Sequence, residues 1–215
     1  MIQPLNDPDD LHGLFPVAVQ VLRGLVPAQD AVTLRRWLID RASQGNPRSN
    51  ALTHTGAIAA GQHGVVDALM DALVPRITEF GALLLGERRT WLVKELWGNV
   101  MRSGGAQSLH NHANCLVSGI VYLTPTGDQG SRTVFVRALG GHDYKFGNEH
   151  AAIHATPFNA SRWLAPAAEP GDAVLFPSYL LHEVPPQPGS IRCTLAFNAI
   201  PTRLDSWGYG LSLGA

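Results

Sequence analysis

The chain has 215 residues, 45% of them apolar and 15% charged, with a formal net charge of −1. That length supports one good hydrophobic core, so a single domain over 1–215 is expected. The near-neutral balance argues against a nucleic-acid footprint or a basic membrane-binding face, and small neutral or acidic partners fit better. No apolar stretch reaches the roughly 20 residues needed to cross a bilayer, and the start "MIQPLNDPDDLHG" lacks the basic and apolar parts of a signal peptide, so a cytoplasmic location is expected. Cys115 and Cys193 are too few for a disulfide framework and form no C-x-x-C pair; they read as half-buried apolar thiols.

In chain order, "AQDAVTLRRWLIDRA" (28–42) spaces Val32, Leu34, Trp37, Leu38 and Ala42 as an amphipathic helix. The stretch "SQGNPRSNALTHTG" (43–56) is rich in turn formers and reads as loop. From Gly64 to Leu85 the helical pattern returns with Val65, Leu69, Ala72 and Leu73, while Pro75 is expected to end, kink or restart it, giving one or two helices. After Arg88 the texture becomes all-β, with short Val-, Leu-, Phe-, Tyr- and Trp-rich runs between turn clusters. Candidate strands are Trp91 to Met101, the region of His110 and His112, Leu116 to Leu123, Arg132 to Arg137, Ala173 to Phe176, His182 to Val184 and Ile191 to Ile200. The expected architecture is mainly β with N-terminal helices, an α+β arrangement in which 1–88 forms a helical layer on a sandwich, barrel or jelly roll built from 89–215.

Some polar residues are out of keeping with that core. In "SIRCTLAFNAI", alternation puts Ile191, Cys193, Leu195, Phe197 and Ala199 on one face and Arg192, Thr194, Ala196 and Asn198 on the other. An arginine on a strand built for burial needs an anionic partner, either a structural carboxylate or a ligand carboxylate gripped bidentately. Ten residues upstream, "GDAVLFPSYLLHEVPP" delivers His182 at the start of a strand, with Glu183 on the opposite face. In "SLHNHANCLVSGIVYL", an extended backbone would project His110 and His112 from one face, close enough for both to reach one ion at about 2.0 to 2.2 Å. Each signal is weak alone. Their order, H-x-H, then a histidine some 70 residues on, then an arginine ten residues later, describes a metal held by three side chains beside an anion site.

This order resembles the iron(II)- and 2-oxoglutarate-dependent oxygenases, whose double-stranded β-helix (jelly-roll) core carries H-x-[D/E], a distal histidine and a downstream Arg or Lys. It is most similar to a bacterial and phage subgroup with blocks approximating H-x-H-x-N/G-x-x-x-SGVYYL, GDLxLFPSxLxHxVxP and R-x-S/T-x-x-FN. Here they read "HNHANCLVSGIVYL", "GDAVLFPSYLLHEVPP" and "RCTLAFN", over about residues 95 to 200. The resemblance implies Fe(II) as metal, 2-oxoglutarate as co-substrate, His110 and His182 as ligands, and Arg192 as the 2-oxoglutarate anchor with Thr194 beside it. Position 112 departs from the superfamily, which has a carboxylate there, and agrees with the subgroup. His112 is then the third ligand, with a carboxylate from "GGHDYKFGNEHAAIHATPFN" (140–159), Asp143 or Glu149, as the alternative and His142 nearby. Tyr122 shares the parity of the histidines and either faces the 2-oxoglutarate or packs as core; Asn114 and Asn198 either donate to the keto acid or fill turn and strand-end roles. His12, His54, His63, His150 and His154 are expected to be solvated loop or helix residues.

The activity so implied is a dioxygenase, in most such enzymes a hydroxylase, that couples oxidative decarboxylation of 2-oxoglutarate with O2 to oxidation of a C–H bond in a small-molecule or protein substrate. No nucleic-acid or membrane partner is expected, and a homodimer is allowed. Two readings from other classes stay open: a cupin-like three-histidine metalloenzyme in which Arg192 grips the substrate's own carboxylate, and a non-catalytic jelly-roll binding module.

Overall fold

The computed structural model describes residues 15–46, 49, 51–127, 132–138, 152–154, 156–187 and 189–214. Strand β1 (Gln20–Leu22) leads into α1 (Ala28–Arg41), then β2 (Gln44–Gly45), β3 (Leu52–His54) and α2 (Gly64–Leu85). In α1 the residues sealed from solvent are Ala31, Leu34 and Leu38, one face at i, i+3 and i+7. Pro75 neither breaks nor ends α2, which runs through it. Val66, Leu69, Leu73, Ile77 and Phe80 continue one buried stripe on both sides of an exposed proline. A proline costs a helix interior about 3 kcal/mol, and burying that stripe offsets the loss. The helix closes on Gly86 at φ 77°, whose N–H reaches the Ala82 carbonyl.

The stretch 43–56 is not the loop expected of it. Gln44–Gly45 and Leu52–His54 form an antiparallel pair, and Leu52, Thr53 and His54 pair in turn with Met101, Val100 and Asn99. Strands this short hold their shape by pairing with a longer neighbour, so local composition does not announce them.

The rest of the chain supplies β4 (Trp91–Met101), β5 (Gln107–His110), β6 (Val117–Tyr122), β7 (Val134–Val136), β8 (Arg162–Leu164), β9 (Ala173–Pro177), β10 (Leu181–Val184), β11 (Arg192–Pro201), β12 (Arg203–Ser206) and β13 (Tyr209–Ser212). They build a seven-stranded sheet, β1-β9-β6-β11-β4-β3-β2, a four-stranded sheet, β5-β10-β7-β8, and the separate β12–β13 hairpin. The helices cover the outer face of the large sheet: Leu34, Leu38, Leu69, Leu73 and Ile77 share one core with Val100, Val121, Leu175, Cys193, Leu195 and Phe197. The inner face meets the small sheet through Ile120, Tyr122, Val174 and Phe176 against Phe135. Strand β11 is buried over its whole length, so the alternation read from its sequence sends Cys193, Leu195, Phe197 and Ala199 to the helices and Arg192, Thr194, Ala196 and Asn198 between the sheets.

One turn locks the two parts together. Asp172, 4% exposed, accepts from the Gly24 and Glu169 backbone amides at 2.8 and 3.0 Å and from Arg23 at 2.6 Å. Gly171 beside it sits at φ 99°, and a Cβ there would lie 2.1 Å from the Val26 carbonyl oxygen. Gly171→Ala therefore meets both a disfavoured backbone conformation and rigid main chain. A loss of about 2 to 4 kcal/mol in unfolding free energy is expected from urea denaturation.

Candidate active site

A cavity of about 230 Å³ opens between the two sheets, walled by His110, His112 and His182 on one side and by Arg192, Thr194 and Ala196 of β11 on the other. Antiparallel pairing sets His182 directly across from His110. His112 lies two residues past the end of β5, where its backbone N–H donates to the Ser178 carbonyl at 2.9 Å. The ring centroids form a compact triangle: 4.2 Å from His110 to His182, 5.2 Å from His110 to His112 and 5.3 Å from His112 to His182. One nitrogen from each ring lies within 4.8 Å of the others.

The tautomers of two rings follow from their neighbours. His110 Nδ1 is 2.7 Å from the Ser108 carbonyl oxygen and His182 Nδ1 is 2.9 Å from that of Leu180. A carbonyl only accepts, so each Nδ1 carries the proton and each Nε2 offers a lone pair, the outer-shell arrangement typical of metal-binding imidazoles. Burial, reinforced by neighbouring His110, pushes the His182 pKa down to about 3; burial and then His110 push His112 down to about 4, with Glu95 opposing; burial also lowers His110. All three rings are neutral at pH 7 and need release no proton to bind a cation.

The same shifts predict acid sensitivity of the metal-free protein. The folded-state values lie below the roughly 6.5 of an unfolded histidine, so the unfolded chain takes up protons first. The contribution to stability is complete above that value and is lost as pH falls through 6 towards 3 to 4. His182, only 4% exposed, alone accounts for about 2 kcal/mol at pH 5. Urea unfolding at pH 7 and pH 5 measures this, and equal midpoints would contradict it.

Arg192 enters the cavity from the first residue of β11, with Met101 as its neighbour on β4. It is 4% exposed, and its guanidinium carbon stands 5.6 Å from the centre of the Tyr122 ring. Thr194, two residues along, is likewise buried and lines the cavity. A cluster of neutral imidazoles facing a buried guanidinium suits a cation and a carboxylate bound side by side.

Residues 95–198 match the family model described as "Putative 2OG-Fe(II) oxygenase". They are a domain of the 2OG-Fe(II) oxygenase family. Solved structures share the oxygenase fold. HygX from Streptomyces hygroscopicus, with nickel and 2-oxoglutarate bound, superposes at a TM-score of 0.61 with 15% identity, covering 86% of this chain and 84% of that one. A Pseudomonas putida prolyl-4-hydroxylase gives 0.60 with 18% identity over 85% and 92%. The viral collagen prolyl hydroxylase of Paramecium Bursaria Chlorella virus-1, as its 2OG complex, gives 0.56 with 13% identity over 84% and 94%. Among curated protein sequences there is no match.

Other residues singled out from the oxygenase sequence are more scattered. Tyr122 packs in the core beside Phe135 and Phe176, its hydroxyl 3.0 Å from Thr133 Oγ1. Asn114 is exposed and donates to Glu95 at 3.3 Å, away from the cavity lining. Glu183 points to the far face and pairs with Arg162. Both cysteines are buried thiols. His63 caps α2 by accepting from the Val65 N–H, and His154 is exposed. His12, His142, Asp143, Glu149 and His150 lie outside the described residues.

His54 corrects the expectation of a solvated loop histidine. It sits on β3, lines the cavity and holds Asn99 Oδ1 at 2.7 Å. Register runs His54, Asn99, Thr194 and Tyr122 across four adjacent strands. Asn99 was legible in principle: Glu95, Trp97, Asn99 and Met101 share a parity opposite the helix-facing Leu96 and Val100. His54 carried no such signal, because its strand exists only through pairing.

Proposed function

We propose that the chain is an Fe(II)- and 2-oxoglutarate-dependent dioxygenase acting as a hydroxylase, with His110, His112 and His182 holding the metal. The observation that carries this reading is the neutral three-imidazole cluster within one cavity with a buried Arg192. Bound there, iron with 2-oxoglutarate and O2 would supply oxidising power for a C–H bond. The residues of the chain provide the rest. The carbonyls of Ser108 and Leu180 keep two lone pairs aimed inward. Arg192 would hold the distal carboxylate of 2-oxoglutarate, with the Thr194 hydroxyl beside it as a further donor. The apolar walls formed by Ile120, Phe176 and Phe197 exclude water, which strengthens these contacts.

The outer wall defines the room for a substrate. Asn46, His54, Trp97, Asn99 and Gln107 line it, polar and aromatic groups suited to a small molecule or an exposed protein side chain. The test is succinate formation from 2-oxoglutarate by protein purified metal-free and reconstituted anaerobically with Fe(II) before exposure to O2. Turnover that requires both iron and 2-oxoglutarate is expected. Metal binding with indifference to 2-oxoglutarate would instead favour a three-histidine metalloenzyme of another kind.

A further inference from the structure

The reaction above leaves one group of cavity-side residues without a task. Glu95, Asn198 and Ser118 are register partners across β4, β11 and β6, at the end of β11 nearest His112. Asn198 is 2% exposed. Its amide nitrogen donates to Glu95 Oε2 at 2.7 Å and its amide oxygen accepts from Ser118 Oγ at 2.8 Å. The amide orientation is thereby determined, because turning it would set two oxygens against each other. The same nitrogen lies 3.4 Å from His112 Nδ1.

His112 thus differs from its two companions. Their Nδ1–H groups rest on backbone carbonyls, whereas His112 Nδ1 faces an amide N–H. A ring that binds a cation through Nε2 carries its proton on Nδ1, and Asn198 as oriented offers that proton no acceptor. Glu95 does: its carboxylate and His112 Nδ1 both lie within 3.4 Å of one nitrogen atom, that of the Asn198 amide, and its side chain is 39% exposed and so has room to turn. The strand is already irregular here, since the register of β4 and β11 shifts between Asn198 and Ala199, leaving Lys94 as an extra residue beside Glu95.

Building on the metal reading above, we propose that Glu95 is the positioning residue for His112, accepting its Nδ1–H when a metal is bound. Glu95 then returns, one layer out, the negative charge that the three-imidazole set lacks. A carboxylate behind a ligating histidine fixes ring orientation and raises its basicity, and losing it typically weakens metal binding by about 10- to 100-fold. Glu95 is partly exposed and outside the apolar core, so the fold survives its loss, at the cost of one hydrogen bond to Asn198.

Zn(II), which needs no O2 and no electrons, serves as the probe. Titration of the metal-free protein is expected to show binding weakened about 10- to 100-fold in Glu95→Ala and by less in Glu95→Gln. Both variants should fold, with the unfolding midpoint lowered in Glu95→Ala, where the buried Asn198 amide loses its acceptor, more than in Glu95→Gln, which keeps one. In the Zn(II)-loaded protein the His112 ring N–H proton resonance should move upfield in Glu95→Gln and be lost to solvent exchange in Glu95→Ala. Affinities within twofold of the parent and an unmoved resonance in both variants would overturn the role of Glu95 while leaving the metal site standing. Failure of the parent protein itself to bind Zn(II) would overturn the metal reading and this inference with it.

Discussion

His182→Ala is expected to abolish iron-dependent succinate formation and to weaken metal binding by at least about 100-fold. His182 is the most buried of the three imidazoles and sits directly across from His110 in the small sheet, so removing it takes away a lone pair that no neighbour among the described residues replaces. The variant should nevertheless fold. In the metal-free protein this ring is a neutral base whose burial holds its pKa at about 3, and deleting it removes a group that favours unfolding in acid. His182→Ala should therefore lose less stability than the parent between pH 7 and pH 5. Metal titration and urea unfolding at the two pH values check both halves. Retained metal affinity in a folded variant would remove His182 from the ligand set.

Arg192→Ala is expected to raise the 2-oxoglutarate concentration needed for half-maximal turnover by about 100-fold or more while leaving metal content nearly intact. Losing one partner of a buried charge-assisted pair costs about 2 to 5 kcal/mol, and each 1.4 kcal/mol is about a factor of ten. The residue enters the cavity from β11, on the large sheet, whereas His110 and His182 come from the small one, so the two functions are separable by mutation. Arg192→Lys keeps the charge without the planar fork and should fall between the two. Equal loss of metal and 2-oxoglutarate in Arg192→Ala would mean that Arg192 holds the cavity together and does not grip a carboxylate.

The site was largely legible where local pattern and chemistry coincide. Alternation along β11 separated Arg192 and Thr194 from the core face before any fold was known, because successive side chains on a strand must point to opposite sides. The H-x-H spacing and the histidine–arginine interval placed His110, His112, His182 and Arg192 in one constellation, and the structure brings all four to one cavity. Glu95 and His54 were not legible in that way. Glu95 reads as an ordinary charge on an amphipathic strand, and only the pairing of β4 with β11 sets it against Asn198 and, through it, His112. His54 lay in a stretch with every mark of a loop, and the pattern around Pro75 left one or two helices open until packing gave one.

What the amino-acid sequence determined by itself, then, was whatever depends on periods of two and 3.6 residues: the apolar stripes of both helices, the two faces of the long strands, and the polar residues left on the inner one. Tertiary structure alone decided which edges pair, that β1, β2 and β3 join the large sheet, and which side chains stand behind the histidines. The physical reason is range. Side-chain direction follows from backbone geometry within a few residues, whereas the shortest strands and the neighbours of a buried imidazole depend on hydrogen bonds between segments dozens of residues apart.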